Sequence, residues 1–441
     1  MKHNRYKLNF FMIILVMSLC AIATPWGARG LAAESFLTSG NVPTIESLTG
    51  GKVKVGDLID KNNVDLVKDL LPASVYECVK WGMVLIIGEH YKPEEMVGKY
   101  FWDLTEKYSG QAKIVDDYGT TYLKDGSLWP GGLPFPKPNS GLEIMANIKY
   151  GQPQDDFKLD TQRYYYINPD GEIYKTNTRY VSYVWCTSRK KVPPIPAFPG
   201  YELENQRNIS IFTSPLSMKG LGQVKTRYYN EKDYIDTGFA YVPAFKRTIR
   251  VSQTTYQDAI GGSDILFCDP MGINDPYVYW NFKLVSQKFM LTPATKPHVP
   301  FPLSDQLGNP LRDKIKFDAK DKFIRLAWAV TTVHIVEGTP TGKHIYGKKI
   351  FYVPVPPYWW SAPIQCVDIY DQQKTLYKAY MNWRGGITTS KQGDPFVRLI
   401  GFDMINLQTR HSSRTWFRDF GCNLGLTPGD HTLKTLLEVG K

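Results

Sequence analysis

Tyr164-Tyr165-Tyr166-Ile167, then Asn168-Pro169-Asp170-Gly171, then Glu172-Ile173-Tyr174, is the stretch on which the fold turns. Aromatic and β-branched side chains suit the pleated surface of a strand. Asn, Pro, Asp and Gly between two such runs supply a turn, so the stretch predicts strand, turn, strand. The same grammar recurs in Gly238-Phe239-Ala240-Tyr241-Val242, in Tyr277-Val278-Tyr279-Trp280-Asn281-Phe282-Lys283-Leu284-Val285 and in Lys349-Ile350-Phe351-Tyr352-Val353. Alternation of large and polar residues predicts a sheet with one apolar face and one wet face. From about residue 160 onward the chain therefore reads as a long, curved, antiparallel sheet. An apolar sheet face has to be covered, by protein or by an apolar ligand, and that choice bears directly on function.

The N-terminus reads as a secretory signal over residues 1–33. Lys2, Arg5 and Lys7 form a basic start, and Phe10 to Leu19 is an apolar run too short to span a bilayer as a helix. Ala21-Ile22-Ala23 and Leu31-Ala32-Ala33 are both small-x-small cleavage sites. Cys20 follows the bulky Leu19, which disfavours lipoprotein processing and favours a soluble, cleaved form. Cleavage after Ala33 would remove four basic residues, Lys2, Arg5, Lys7 and Arg29, and no acidic one, lowering the formal charge from +11 to +7. Anionic headgroups are one class of partner for such a surface. The longest basic cluster is only Arg189-Lys190-Lys191, so the excess also reads simply as a solubility device. Nothing in this pattern points to nucleic acid. Cys78, Cys186, Cys268, Cys366 and Cys422 are odd in number and lack metal-like spacing, and read as buried free thiols.

Residues 34–441 are expected to form a single β-rich domain with a helical portion at about 60–150. Apolar residues at 67, 70, 71, 75 and 79 fit one helical face, interrupted by Pro72. Pro93-Glu94-Glu95 opens another short helix, and residues 141–150 a third. Pro130 to Pro136 and Pro193 to Gly200 read as loops.

Catalytic motifs are missing. There is no HExxH pair, no GxSxG elbow, no GxxxxGK[ST] loop, and no GxGxxG after a strand. Neither a cofactor nor a metal site is expected, and the chain is read as a non-enzyme. Asp264 and Asp269 bracket Ile265-Leu266-Phe267-Cys268, a place for a hydrogen-bonding or cation-binding loop, although acids and glycines are ordinary turn formers. Asp368 and Asp371 are a further acidic pair, with Asp371 read as the start of a hairpin turn.

The aromatic content says more. Aromatic residues make up 14 % of the chain, with 28 tyrosines. Tyr and Trp join a large apolar area to one polar edge, which suits a cavity wall. The candidates for such a wall are Tyr183, Trp185, Phe212, Tyr229, Phe239, Tyr241, Trp280, Phe282, Tyr352 and Trp359; individually, each also reads as sheet core. Phe239 and Tyr241 share one sheet face, as do Trp280 and Phe282, and these four are the expected pocket.

Several marks together resemble the bacterial family known as domain of unknown function 1329. They are Lys68 to Glu77, Gly132-Leu133-Pro134-Phe135-Pro136, Phe239 to Arg250, Tyr256 to Val285, Val336-Glu337-Gly338-Thr339-Pro340, His344 to Ile350 and Val367-Asp368-Ile369-Tyr370-Asp371. The resemblance implies a mainly β (α+β) fold like that of the lipoprotein carriers LolA and LolB. That fold is a large curved antiparallel sheet or half-barrel around a hydrophobic cavity, with a few short helices. It also implies a periplasmic or outer-membrane address, often beside exporters of the resistance-nodulation-division class. The expected function is carriage of a lipid or other hydrophobic ligand. The alternative is a non-enzymatic adaptor in an envelope transport complex. Carriage has its own physical basis: each exposed methylene costs about 0.8 kcal/mol in water, so burying a dozen offsets roughly 10 kcal/mol.

Overall fold

The computed structural model describes residues 42–251, 253–299, 303 and 309–439; the expected signal over 1–33 lies outside them. Two short strands, β1 (Leu58–Ile59) and β2 (Leu85–Ile87), come first, followed by a small separate hairpin of β3 (Ala112–Ile114) and β4 (Thr121–Leu123). Long strands begin with β5 (Asp156–Ile167) and β6 (Ile173–Trp185), the two arms of the hairpin read around Asn168–Gly171. The meander continues through β7 (Glu204–Ser214), β8 (Gly222–Tyr228), β9 (Thr237–Val242) and β10 (Arg247–Arg250). After an irregular segment come β11 (Trp280–Pro293) and a two-strand ladder of β12 (Phe317–Asp318) and β13 (Phe323–Ile324). The chain then forms β14 (Ala327–Pro340), β15 (Lys348–Pro354), β16 (Cys366–Tyr370), β17 (Leu376–Thr389), β18 (Pro395–Asn406), β19 (Ser412–Phe417) and β20 (Gly421–Cys422).

Sixteen of these strands make one sheet, ordered β1-β2-β14-β15-β16-β17-β18-β19-β5-β6-β7-β8-β9-β10, with β11 on β14 and β20 on β5. The sheet stays open, and its pairings are antiparallel apart from β2 with β14, so it is mixed rather than purely antiparallel. Tyr277–Tyr279, expected as the start of a strand, is a 3-10 turn; Pro276 before it favours the turn, and β11 begins at Trp280. Helices are few and short. Pro72 divides a 3-10 helix (Val64–Leu70) from an α-helix (Ala73–Lys80), and further helices span Lys99–Lys107 and Gly141–Tyr150.

The wet face expected of this sheet is largely missing from its centre. Tyr164, Tyr165, Tyr166 and Ile167 are all buried, and they alternate between two cores. Tyr164 and Tyr166 join a core with Phe157, Phe402 and Tyr277. Tyr165 and Ile167 join another with Val75, Leu85, Trp383 and Trp416. The second core is covered by residues 45–87 and 315–326. Such doubly covered strands read as near-continuous apolar runs, as Ala379-Tyr380-Met381 and Leu399-Ile400 do here.

Candidate ligand cavity

Register places the site. Across β5, β6 and β7, Phe157 pairs with Tyr183 and then Asn208, Leu159 with Val181 and then Ser210, and Gln162 with Arg179 and then Phe212. Residues directly opposite in a sheet share a face, so these form a patch of apolar side chains crossed by polar ones. The irregular segment between β10 and β11 covers this patch. It contains only short 3-10 turns, at Gln253–Gln257, Ile260–Gly262, Pro270–Gly272 and Tyr277–Tyr279.

Charge holds the cover down. Asp269 sits 3.0 Å from Lys349 Nζ and accepts from the Tyr346 hydroxyl at 2.9 Å. Burial alone would push the Asp269 carboxyl up, but Lys349 and Lys378 outweigh it and hold it below its ordinary value. Asp264 accepts from His411 Nδ1 at 2.7 Å and from the Ser413 hydroxyl at 2.9 Å, and Lys378 Nζ donates to its carbonyl at 2.7 Å. The two carboxylates that flank Ile265–Cys268 therefore clamp the segment to the sheet.

Two cavities of about 50 and 60 Å³ remain beneath the cover. Both are lined by Tyr183, Pro270, Met271 and Asn274, so they adjoin. One is walled by Phe157, Leu159, Leu399, Phe402 and Phe417, together with Arg179, Asn208 and Ser210. The other has more charged residues in its wall, Lys149, Arg227 and Glu231. Ligand pockets usually measure about 300–1,000 Å³, so a chain molecule enters only if the cover lifts.

The ten sequence candidates divide. Tyr183 lines both cavities and Trp185 the polar one. Phe212 lies under the Arg179 guanidinium, 5.2 Å from ring centroid to carbon. Trp359 and Phe282 belong to the same core, and the Trp359 indole donates to the Gly151 carbonyl at 2.8 Å. Trp280 is 1 % exposed and donates to Asp275 at 2.8 Å, so it is solid core. Tyr229 sits in a satellite cluster with Trp129 and Tyr150. Tyr352 faces the second core and donates to Asp368 at 2.8 Å. Tyr241 packs on a small cluster with Ile209 and Leu436, and Phe239 is 42 % exposed. The expected pocket of Phe239, Tyr241, Trp280 and Phe282 is therefore not assembled; β9 lies next to the outermost strand of the sheet. Sequence reading missed Phe402, Phe417 and Arg179, which enter the wall only through the pairing of β17 to β19 with β5 and β6. For Phe402 the signal was the apolar run of β18.

Other clusters are closed. Ser182 Oγ and His431 Nε2 lie 2.8 Å apart, with His431 Nδ1 3.0 Å from the Thr427 carbonyl, the outline of a nucleophile and its base. Both are 1 % exposed, and neither lines the two cavities beneath the cover. Cys268, Asp275 and His344 bring potential metal donors within 4.8 Å of one another, a group built from three distant positions that spacing did not show. Trp280 already donates to Asp275, and Tyr346 N–H to His344 Nδ1 at 2.9 Å. Burial and Asp269 push the Cys268 thiol well up. The cysteines among the described residues are buried and unpaired.

The family model described as Protein of unknown function (DUF1329) matches residues 58–419. No curated protein matches. A solved putative outer membrane lipoprotein-sorting protein domain from Vibrio parahaemolyticus is 16 % identical, with a TM-score of 0.45 over 67 % of this chain and 98 % of its own. A DUF1329 family protein from Desulfovibrio piger ATCC 29098 is 13 % identical, with a TM-score of 0.42 over 64 % and 92 %. The LolA superfamily protein NE2245 from Nitrosomonas europaea is 12 % identical, with a TM-score of 0.38 over 68 % and 100 %.

Proposed function

We propose that this chain, which belongs to the DUF1329 family, is a non-enzymatic carrier of a lipid or similar hydrophobic ligand in the periplasm. The observation that carries the reading is the unequal cover of the two sheet faces. One face is sealed by helices and strands of the N-terminal portion. The other lies under a segment of short turns, held by ion pairs and hydrogen bonds, with adjoining cavities against Phe157, Leu159, Phe402 and Phe417. A cover of this kind opens at lower cost than a packed layer, because few regular backbone hydrogen bonds are lost. Lifting it exposes an apolar wall ready to take an acyl chain. No nucleotide is needed if affinity rises from donor to carrier to acceptor.

The test is binding by protein purified without detergent. Copurified lipid should appear by native mass spectrometry, and a fluorescent fatty acid should bind. Asp269→Asn, which weakens the clamp to Lys349, should accelerate uptake several-fold. A protein free of lipid that takes up no probe in either form would end the carrier reading.

One observation favours the adaptor alternative. Among the described residues, the β9–β10 hairpin leaves the outer edge of β10 unpaired, with Phe245 74 % and Ile249 53 % exposed. An unpaired edge with apolar side chains is a place for another protein to add a strand. An envelope exporter of the resistance-nodulation-division class is the partner this reading would test there.

A further inference from the structure

Arg179 differs from the other buried cations among the described residues. Lys149, Lys190, Arg227, Lys349 and Arg414 each lie within 3.3 Å of a carboxylate. Arg189 and Arg384 are surrounded by backbone carbonyls instead. Arg179 is only 6 % exposed, yet among the described residues no carboxylate lies within 4.0 Å of it. Its Nη1 donates to the Tyr164 hydroxyl at 2.8 Å, and its Nε has no acceptor. Burying a guanidinium without a counter-ion is costly.

Four more unsatisfied side-chain atoms belong to residues that line its cavity, the Tyr380 hydroxyl and the acceptor Asn382 Oδ1 among them. Asn208 Nδ2 and Ser210 Oγ are buried without a partner, and both residues line the apolar cavity with Arg179. The register sets them on the same sheet face, on the strand next to that of Arg179. Arg179 Nε, Asn208 Nδ2 and Ser210 Oγ are thus three buried donors without acceptors, all on residues of one cavity wall and one sheet face, which suits an oxyanion. An oxyanion at the guanidinium edge takes charge-assisted hydrogen bonds there. Phe402, Phe417 and Leu399, in the same wall, suit an aliphatic chain.

We infer that this cavity selects amphiphiles with an anionic head, a carboxylate or a phosphate, with Arg179 as the counter-ion and Asn208 and Ser210 as supporting donors. The inference rests on the carrier reading and names the class of ligand carried.

The experiment titrates the full chain with dodecanoate, dodecyl phosphate and dodecanol below their aggregation concentrations, following binding by calorimetry. At least one anionic ligand should bind ten-fold or more tightly than dodecanol; which one distinguishes a fatty-acid head from a phospholipid head. Arg179→Met should bring all three within two-fold by weakening the anions. It should leave the melting temperature unchanged or higher, because an unpaired buried charge is removed. Arg179→Lys should keep part of the preference. Equal binding of the three by the unaltered protein, or an anion preference that survives in Arg179→Met, overturns the head-group assignment and leaves carriage standing. Binding of none of the three overturns both.

Discussion

Buried ionisable residues carry much of the specific structure, and Lys225 makes this measurable. It lies beneath the cover, 3.8 Å from Asp236, and donates to the Tyr256 hydroxyl at 3.1 Å. Burial and then Arg227 push its ammonium down to about 7, despite Asp236. The unfolded side chain titrates near 10.4. A base whose folded value is depressed binds its proton more weakly in the folded state. Stability should therefore fall as the pH drops from about 10 towards 7, and level off below. Lys225→Met should flatten that slope; urea unfolding at pH 7 and pH 9.5 checks it, and an unchanged slope in the variant would assign the dependence elsewhere. Asp368 shows the same economy of placement. In the sequence it reads as half of an acidic pair, yet it accepts from Ala73 N, Ser74 N and the Tyr352 hydroxyl at 2.8–3.0 Å. Asp371, the other half, starts a turn by accepting from Thr375 N at 2.9 Å. Identical side chains three residues apart thus do unrelated work, one caps a helix from across the core and one closes a hairpin.

Among the elements, the β9–β10 hairpin is the most exposed part of the sheet. Arg247–Arg250 is exposed throughout, and Phe245 stands out at the tip beside Lys246 and Arg247. A protruding aromatic ring next to cations suits the interface of an anionic membrane. Replacing Phe245, Lys246 and Arg247 with serine should shift stability by no more than about 0.5 kcal/mol, as for open surface positions. If ligand is exchanged through this edge, transfer to vesicles containing anionic lipid should slow several-fold while affinity in solution stays the same. Stopped-flow transfer of a fluorescent fatty acid reads both, and an unchanged rate would remove the hairpin from delivery. The covering segment was legible only in part. Its Gly261-Gly262 and its acids announced turns, but the clamp partners Lys349, Lys378, His411 and Ser413 come from positions 80 to 149 residues away in sequence.

At the largest scale the described residues form one large open sheet with an unlike layer on each face. The regular N-terminal layer is pinned by Asp368, and the irregular layer covers the cavities. If the layers act separately, Asp368→Ala should cost about 1–3 kcal/mol through its orphaned donors. It should also raise amide hydrogen exchange over residues 64–80 without altering ligand affinity. A loss of affinity equal to the loss of stability would show that the layers are coupled. Local sequence determined the strands, the turn at Asn168–Gly171, the break at Pro72 and the burial of the cysteines, because periodicity, turn chemistry and proline geometry act over a few residues. Only the tertiary structure decided which face each aromatic meets. It buried Tyr352 in the second core, left Phe239 at the rim, and brought Phe402 and Phe417 to Phe157 through strands far apart in sequence. The reason is physical: alternation assigns a side chain to one of two faces, and strand order with the segments laid over each face decides whether that face is core, cavity or surface.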